Sequence, residues 1–129
     1  MTEINGFYYD QNNRCTNASG MYYKCLNYTA VIDVAQVITN KWAYAYSCEI
    51  GNMSKIGFIF LDEIENTYNT KSEAYNAGMH AVLSYLNCWN KDGRLDSLIN
   101  CIDPKFNGIE NRPVPTIKTD ISINQLTLF

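Results

Sequence analysis

The stretch from Trp42 to Ile50 constrains the fold more than any other. Trp42, Tyr44, Tyr46, Cys48 and Ile50 alternate with Ala43, Ala45, Ser47 and Glu49. A period of two places large side chains on one face of a strand and small or polar ones on the other. A helix would scatter the same residues around its axis. A one-sided strand needs partners beside it and a layer over its apolar face, so the chain is expected to build an antiparallel sheet with a cover.

The flanking segments are expected to supply those partners. Gly51-Asn52 interrupts the alternation, and Lys55 to Leu61 resumes it, with Ile56, Phe58 and Phe60 on one side and Gly57, Ile59 and Leu61 on the other. Both sides are apolar, which predicts a central strand joined to the first as an antiparallel hairpin. Upstream, Thr29 to Thr39 is rich in β-branched residues, and Asn40-Lys41 offers a tight turn, so a strand is expected there. A short helix is the alternative, because Val31, Val34, Ala35 and Ile38 also recur at helical spacing. Residues 1–28 alternate aromatic runs with turn formers. Phe7-Tyr8-Tyr9 and the run from Tyr22 to Leu26 are expected to pair as a hairpin across the long loop between them.

The cover is expected to be a helix over 70–90. Thr70 and Glu73 make a capping box, in which each side chain satisfies a backbone N–H of the other residue. Ala74, Gly78, Ala81, Val82, Tyr85, Leu86 and Trp89 form a wide apolar face, opposite a polar stripe of Glu73, Asn76, His80, Ser84 and Asn87. Asn90-Lys91-Asp92-Gly93 ends this helix. A shorter one, about Leu95 to Ile102, is stopped by Asp103-Pro104. The fold class is therefore α+β: a small antiparallel sheet of three or more strands, one long helix packed on one face, a short second helix and an extended C-terminal tail. Residues 1–103 are expected to form the domain. From 104 to 129, Asn107-Gly108, Pro113 and Pro115 break any regular pattern, and an extended tail is expected.

Composition excludes several function classes. The net charge of −3 argues against a protein that grips nucleic-acid phosphates, which would want a basic surface. The first residues carry neither a basic flank nor an apolar run, and no stretch is long and apolar enough for a membrane span, so a cytoplasmic protein is expected. The five cysteines, Cys15, Cys25, Cys48, Cys88 and Cys101, are odd in number and form no CxxC pair, which favours reduced thiols.

No combination of residues makes a strong catalytic or metal signature. His80 shares a helix face with Glu73, but about two turns separate them, too far for direct contact. A Cys–His nucleophilic pair would need Cys48 or Cys88 beside His80. Zinc would need Cys15, Cys25, Cys88 and Cys101 to converge, without finger-like spacing between any of them. Asp62, Glu63 and Glu65 could line a cation site, or simply form a solvated connection. Trp42, Tyr44 and Tyr46 could stack on bases, but only Lys41 and Lys55 flank them, and a core face under the helix is the preferred reading. No catalytic residues, metal or cofactor are expected.

Two resemblances add to this. The meander and its following helix are similar to small ββ(β)α modules of phage and mobile-element proteins, through Trp42-Ala43-Tyr44, Gly57 and the helix start from Asn69 to Ala74. That pattern is loose, spans roughly residues 30–90 and assigns no chemistry. The last residues, Gln125-Leu126-Thr127-Leu128-Phe129, resemble the bacterial sliding-clamp-binding motif, Gln-Leu-Ser/Asp-Leu-Phe. Gln125, Leu126, Leu128 and Phe129 match, and Thr127 stands at the tolerant middle position. The resemblance implies a partner, the DNA polymerase sliding clamp. Leu128 and Phe129 would enter an apolar pocket, and Gln125 would hydrogen-bond at a second, smaller site. The alternative is a tail that docks on its own body. A non-enzymatic accessory protein of a phage or mobile element is the expectation. An inhibitor or adaptor that uses its sheet or helix face is the alternative.

Overall fold

The computed structural model describes residues 1–103. Its centre is a four-stranded antiparallel meander of β3 (Ser19–Cys25), β4 (Tyr28–Gln36), β5 (Trp42–Ile50) and β6 (Met53–Lys55), in that spatial order. A separate hairpin joins β1 (Thr2–Ile4) to β2 (Phe7–Tyr9). Two helices follow, α1 (Lys71–Trp89) and α2 (Asp96–Ile102). The α+β expectation holds, as does the strand between Tyr28 and Gln36. Among the described residues, no helix is long and apolar enough to cross a membrane.

Register explains the two faces of the sheet. Ile32 lies opposite Tyr46, Val34 opposite Tyr44 and Ala30 opposite Cys48, so the large residues of β4 and β5 share one face. Helix α1 crosses that face, packing on β4 and β5. The buried positions of α1 are Ala74, Gly78, Val82 and Leu86, which recur every four residues and form one stripe. Gly78 sets the approach: a Cβ there would lie 2.8 Å from Cγ2 of Ile32 and 3.1 Å from Cδ1 of Tyr44. The helix therefore sits closer to the sheet than any other residue at that position would permit. Short α2 packs on β3 and on the end of α1. Its Leu98, Ile99 and Ile102 join Ile32, Val82 and Leu86 in the larger core.

Thr70 caps α1 as expected, its Oγ1 accepting from the Glu73 N–H at 3.1 Å. The return half of the box shifts by one residue, because Glu73 Oε1 accepts from the N–H of Asn69 at 3.2 Å.

Two expectations fail, for different reasons. Phe7–Tyr9 does not pair with the strand at Tyr22. It pairs with Thr2–Ile4 through the Asn5-Gly6 turn, where both residues have positive φ (50° and 94°). That is the Asn-Gly hairpin signal. The Tyr22 strand instead pairs with β4 through Leu26-Asn27, with Leu26 at φ 57°.

Lys55–Leu61 is not a central strand. Pairing with β5 stops at Lys55, so β6 is a short edge strand. Beyond it the chain climbs over the second face of the sheet, where a Cβ on Gly57 would lie 2.6 Å from the carbonyl oxygen of Tyr46. The backbone groups of this segment are satisfied outside the ladder. Gly57 N–H donates to Ser47 Oγ (3.2 Å), Ile59 C=O accepts from Cys15 N–H (2.9 Å), and Leu61 N–H donates to Asn13 C=O (2.8 Å). Ile59 and Leu61 then bury against Ala35, Val37, Ala43, Ala45 and Tyr9, making a second, smaller core.

Candidate functional site

The segment that sequence singles out for partner binding, Gln125, Leu126, Leu128 and Phe129, lies outside the described residues, as does all of 104–129. The described chain leads into it through α2, which is firmly seated. Asn90, at the end of α1, donates from Nδ2 to Asp96 Oδ1 at 2.7 Å and accepts at Oδ1 from the Leu95 N–H at 2.8 Å. The last turn closes with Asp103 N–H on Ile99 C=O at 2.8 Å, and Ile102 is buried. The apolar residues of α2 thus hold the body's last helix in the core.

The other sequence candidates separate in space. His80 is exposed on α1, whereas Cys48 is buried in the sheet beneath that helix and Cys88 is exposed near the helix end. Glu73 is occupied in the cap. Glu63 Oε2 accepts from the N–H groups of Glu65 (3.2 Å) and Asn66 (3.0 Å), so it folds its own turn, and Asp62 and Glu65 are exposed beside it. Among the described residues, no three His, Cys, Asp or Glu side chains gather into a metal-holding group. The aromatic row is taken up by packing. Tyr46 lies 5.9 Å from Tyr85 of α1, Tyr44 lies 6.2 Å from Tyr68, and Phe7 meets Trp42 edge-on at 5.5 Å. Lys55, one of the two flanking cations, sits over the rings of Tyr46 and Tyr85 at 5.2 and 5.8 Å.

Sequence reasoning missed two features. One is a cleft of about 320 Å³ on the second face of the sheet, whose walls include Cys15, Asp33, Ser47 and Phe58. Asp33 projects from β4 over Gly20 of β3, its Oδ1 only 2.4 Å from where a Cβ on that glycine would be. Burial alone pushes its carboxyl from 3.8 up to about 6. Burial also raises the Cys15 thiol, against a hydrogen bond from the Asn17 backbone. Ser47 spends its oxygen on the Gly57 N–H. These groups suit recognition of a polar or cationic group better than nucleophilic attack, since a thiol raised by burial stays protonated.

The other feature is a thiol pair on the helix side. Cys25 closes β3, and its side chain packs against the core that holds Leu98 and Ile102 of α2. Hydrogen bonds from Cys101, chiefly, and from Ser97 bring the Cys25 thiol down from 9.0 to about 7, against the opposing effect of burial. Cys48 goes the other way, pushed up to about 11 by burial. Spacing gave no sign of the pair, because only the return of α2 onto β3 brings the two thiols together.

The chain matches no family model, no curated protein and no solved structure.

Proposed function

We propose that this protein acts without catalysis, in the cytoplasm, by binding the DNA polymerase sliding clamp through Gln125, Leu126, Leu128 and Phe129. The folded body would then be recruited to replicating DNA or compete with other clamp clients. One observation carries the reading: the discriminating positions of the clamp-binding motif occur together in the final residues of the chain. Burial of Leu128 and Phe129 would contribute about 1.5–3 kcal/mol each. Ordering the segment opposes this, so the net affinity should be on the order of micromolar, or about −8 kcal/mol.

The test is a titration of purified sliding clamp with the full chain and with a chain cut after Asn124. The full chain should bind, and the shortened one should lose most of its affinity. Leu128→Ala with Phe129→Ala should act like the cut, and Thr127→Ser should do little. Equal binding by both chains, or none by either, would overturn the reading.

A second reading is favoured by a different observation. Ile56, Phe58 and Phe60 stand 67%, 46% and 43% exposed in a row along the segment that crosses the sheet. Contiguous exposed apolar residues of this kind suit a protein partner. An inhibitor or adaptor working through this surface would retain its partner after the cut at Asn124.

A further inference from the structure

We propose that the cleft beside Asp33 binds a primary alkylammonium group, with the charged nitrogen on the Asp33 carboxylate and the apolar stem against Ile56 and Phe58.

The geometry begins in the register of the sheet. On the second face, Asp33 of β4 stands between Gly20 of β3 and Ala45 of β5, the two residues directly opposite it. Neither neighbour has a side chain that can pair with a carboxylate. Gly20 also makes room for it, because Asp33 Oδ1 lies 2.4 Å from where a Cβ on that residue would be. The other polar side chains of the cleft are committed elsewhere. Ser47 Oγ accepts from the Gly57 N–H at 3.2 Å, Thr16 Oγ1 donates to the Tyr8 carbonyl at 3.2 Å, and Asn17 spends both ends of its amide on Tyr8 and Gly6. Arg14 adjoins Cys15 in sequence, but its guanidinium lies over the Phe58 ring at 4.9 Å and 3.7 Å from Asp10. Among the described residues, no hydrogen bond or ion pair reaches the Asp33 carboxylate. A partly buried negative charge is thus left without a partner on the wall of a cleft of about 320 Å³. Such a charge is costly to bury, and a cation that enters removes the cost.

Three features select the ligand. Among the described residues, no three His, Cys, Asp or Glu side chains gather, so a divalent metal ion would find one anionic ligand where it wants several. Oδ1 is turned onto Gly20, which leaves a planar guanidinium fork one oxygen rather than two, whereas an ammonium is a point donor and needs only one. The rest of the wall includes Ile56, Phe58 and Ile59, and suits an alkyl stem. The volume lies at the small end of the usual range for ligand pockets, about 300–1,000 Å³, which fits a short amine or a single lysine side chain.

The test is an NMR titration of the isotope-labelled full chain at pH 7 with n-butylammonium. The comparison probes are n-butanol, n-butylguanidinium and Nα-acetyl-lysine N-methylamide. Butylammonium should shift the amides of Gly20, Asp33, Ser47 and Gly57, with a Kd on the order of millimolar for so small a probe. Butanol and butylguanidinium should bind several-fold more weakly. Asp33→Asn keeps the shape and removes the charge, and should weaken butylammonium roughly tenfold or more. Glu49→Gln alters an exposed carboxylate farther along the same face of β5, and should leave the affinity within about twofold. Of the residues lining the cleft, Asp33 and Cys15 titrate, and burial raises the Cys15 thiol, which stays neutral. Binding should therefore fall away between pH 7 and about pH 4 as Asp33 alone takes up its proton. The lysine amide distinguishes the sources: binding like butylammonium supports the site with a partner's lysine as occupant, and exclusion supports it with a free amine. Shifts confined to other parts of the body, affinity unchanged in Asp33→Asn, an equal loss in Glu49→Gln, or butanol or butylguanidinium binding as tightly would each overturn the proposal.

Discussion

The two sides of the sheet are covered by different kinds of structure. On one side, α1 and α2 bring a periodic stripe of buried residues, and the core they close includes Ile32, Val82, Leu86, Leu98 and Ile99. On the other, the cover is the β1–β2 hairpin, the loop around Cys15 and the irregular segment from Ile56 to Leu61, closing over Ala35, Ala43 and Ala45. A helix satisfies its own backbone, so its side chains need only be apolar. The irregular cover must find a partner for each backbone group separately, which is why Ser47, Asn13, Cys15 and Ile38 all bond to it. On the second side the sheet itself contributes mainly alanines, Ala35, Ala43 and Ala45, and the larger apolar residues, Tyr9, Ile59 and Leu61, come from the cover.

The sharpest way to break the comparison is to put a charge under each cover. Leu86 is fully buried, and Leu86→Asp should cost more than about 4 kcal/mol and leave no cooperative unfolding transition. Ile59→Asp should cost less, because the segment carrying it can lift away from the sheet. Denaturant titration followed by circular dichroism measures both. If Ile59→Asp also abolished the transition, the second side would be an integral core rather than an overlay.

The next effect is electrostatic. Asp33 has a folded value of about 6 against 3.8 when unfolded, so the folded state holds its proton more tightly. Its contribution to stability is fully present below about pH 4 and is lost as pH rises through about 6. At pH 7 the ionised carboxylate should cost up to about 3 kcal/mol, by the conversion of roughly 1.4 kcal/mol per pH unit. Asp33→Asn should therefore be more stable than wild type at pH 7 and about equal to it at pH 3.5. A variant less stable than wild type at pH 7 would mean that the charge has a partner on this face.

How much of this was legible in the sequence follows the same division. The alternation from Trp42 to Ile50 gave β5 with its ends in place, and the Thr70–Glu73 box gave the start of α1. Both signals reflect forces local to the element. The alternation from Ile56 to Leu61 is equally clear and predicts a central strand, whereas pairing with β5 ends at Lys55. It records extended backbone with one side buried, and a ladder is only one way to bury it. The Asn5-Gly6 turn is a hairpin signal present in the sequence itself. The Asp33 cleft and the Cys25–Cys101 pair were not legible, because each is assembled from segments far apart in sequence. The resemblance of residues 125–129 to a clamp-binding motif rests on residue identity alone and lies outside the described residues.

Gly57 tests why the irregular segment departs from the ladder. The nearest atoms to an added Cβ are Tyr46 O at 2.6 Å and Tyr46 N at 3.3 Å, both backbone atoms of β5. Neither can rotate aside, so Gly57→Ala should cost about 1–3 kcal/mol as the segment is pushed off the sheet. Hydrogen exchange should quicken at the amides of Gly57, Cys15 and Leu61 and stay unchanged in α1. Uniform loss of protection throughout the body would show that the two sides unfold together.

The smallest effect contrasts the local devices that fasten each cover. On the helix side it is the Thr70 cap, a single bond of 3.1 Å to the Glu73 N–H. On the other side it is Asn17, whose Oδ1 accepts from Tyr8 N–H at 2.8 Å and whose Nδ2 donates to Gly6 C=O at 3.0 Å. Thr70→Ala should cost about 1 kcal/mol, since one N–H at the helix start loses its partner and gains only water. For a body of this size that is a fall of about 4–8 °C in Tm. Asn17→Ala removes these two bonds and a long one from Cys15 Sγ at 3.8 Å, but all lie at the surface, where water replaces them, so its effect on Tm should be no larger. Its signature should be local instead, with faster exchange at the Tyr8 amide. A fall in Tm for Asn17→Ala well beyond that for Thr70→Ala would show that the hairpin is part of the cooperative body, and that the two sides of the sheet differ in form but not in rank.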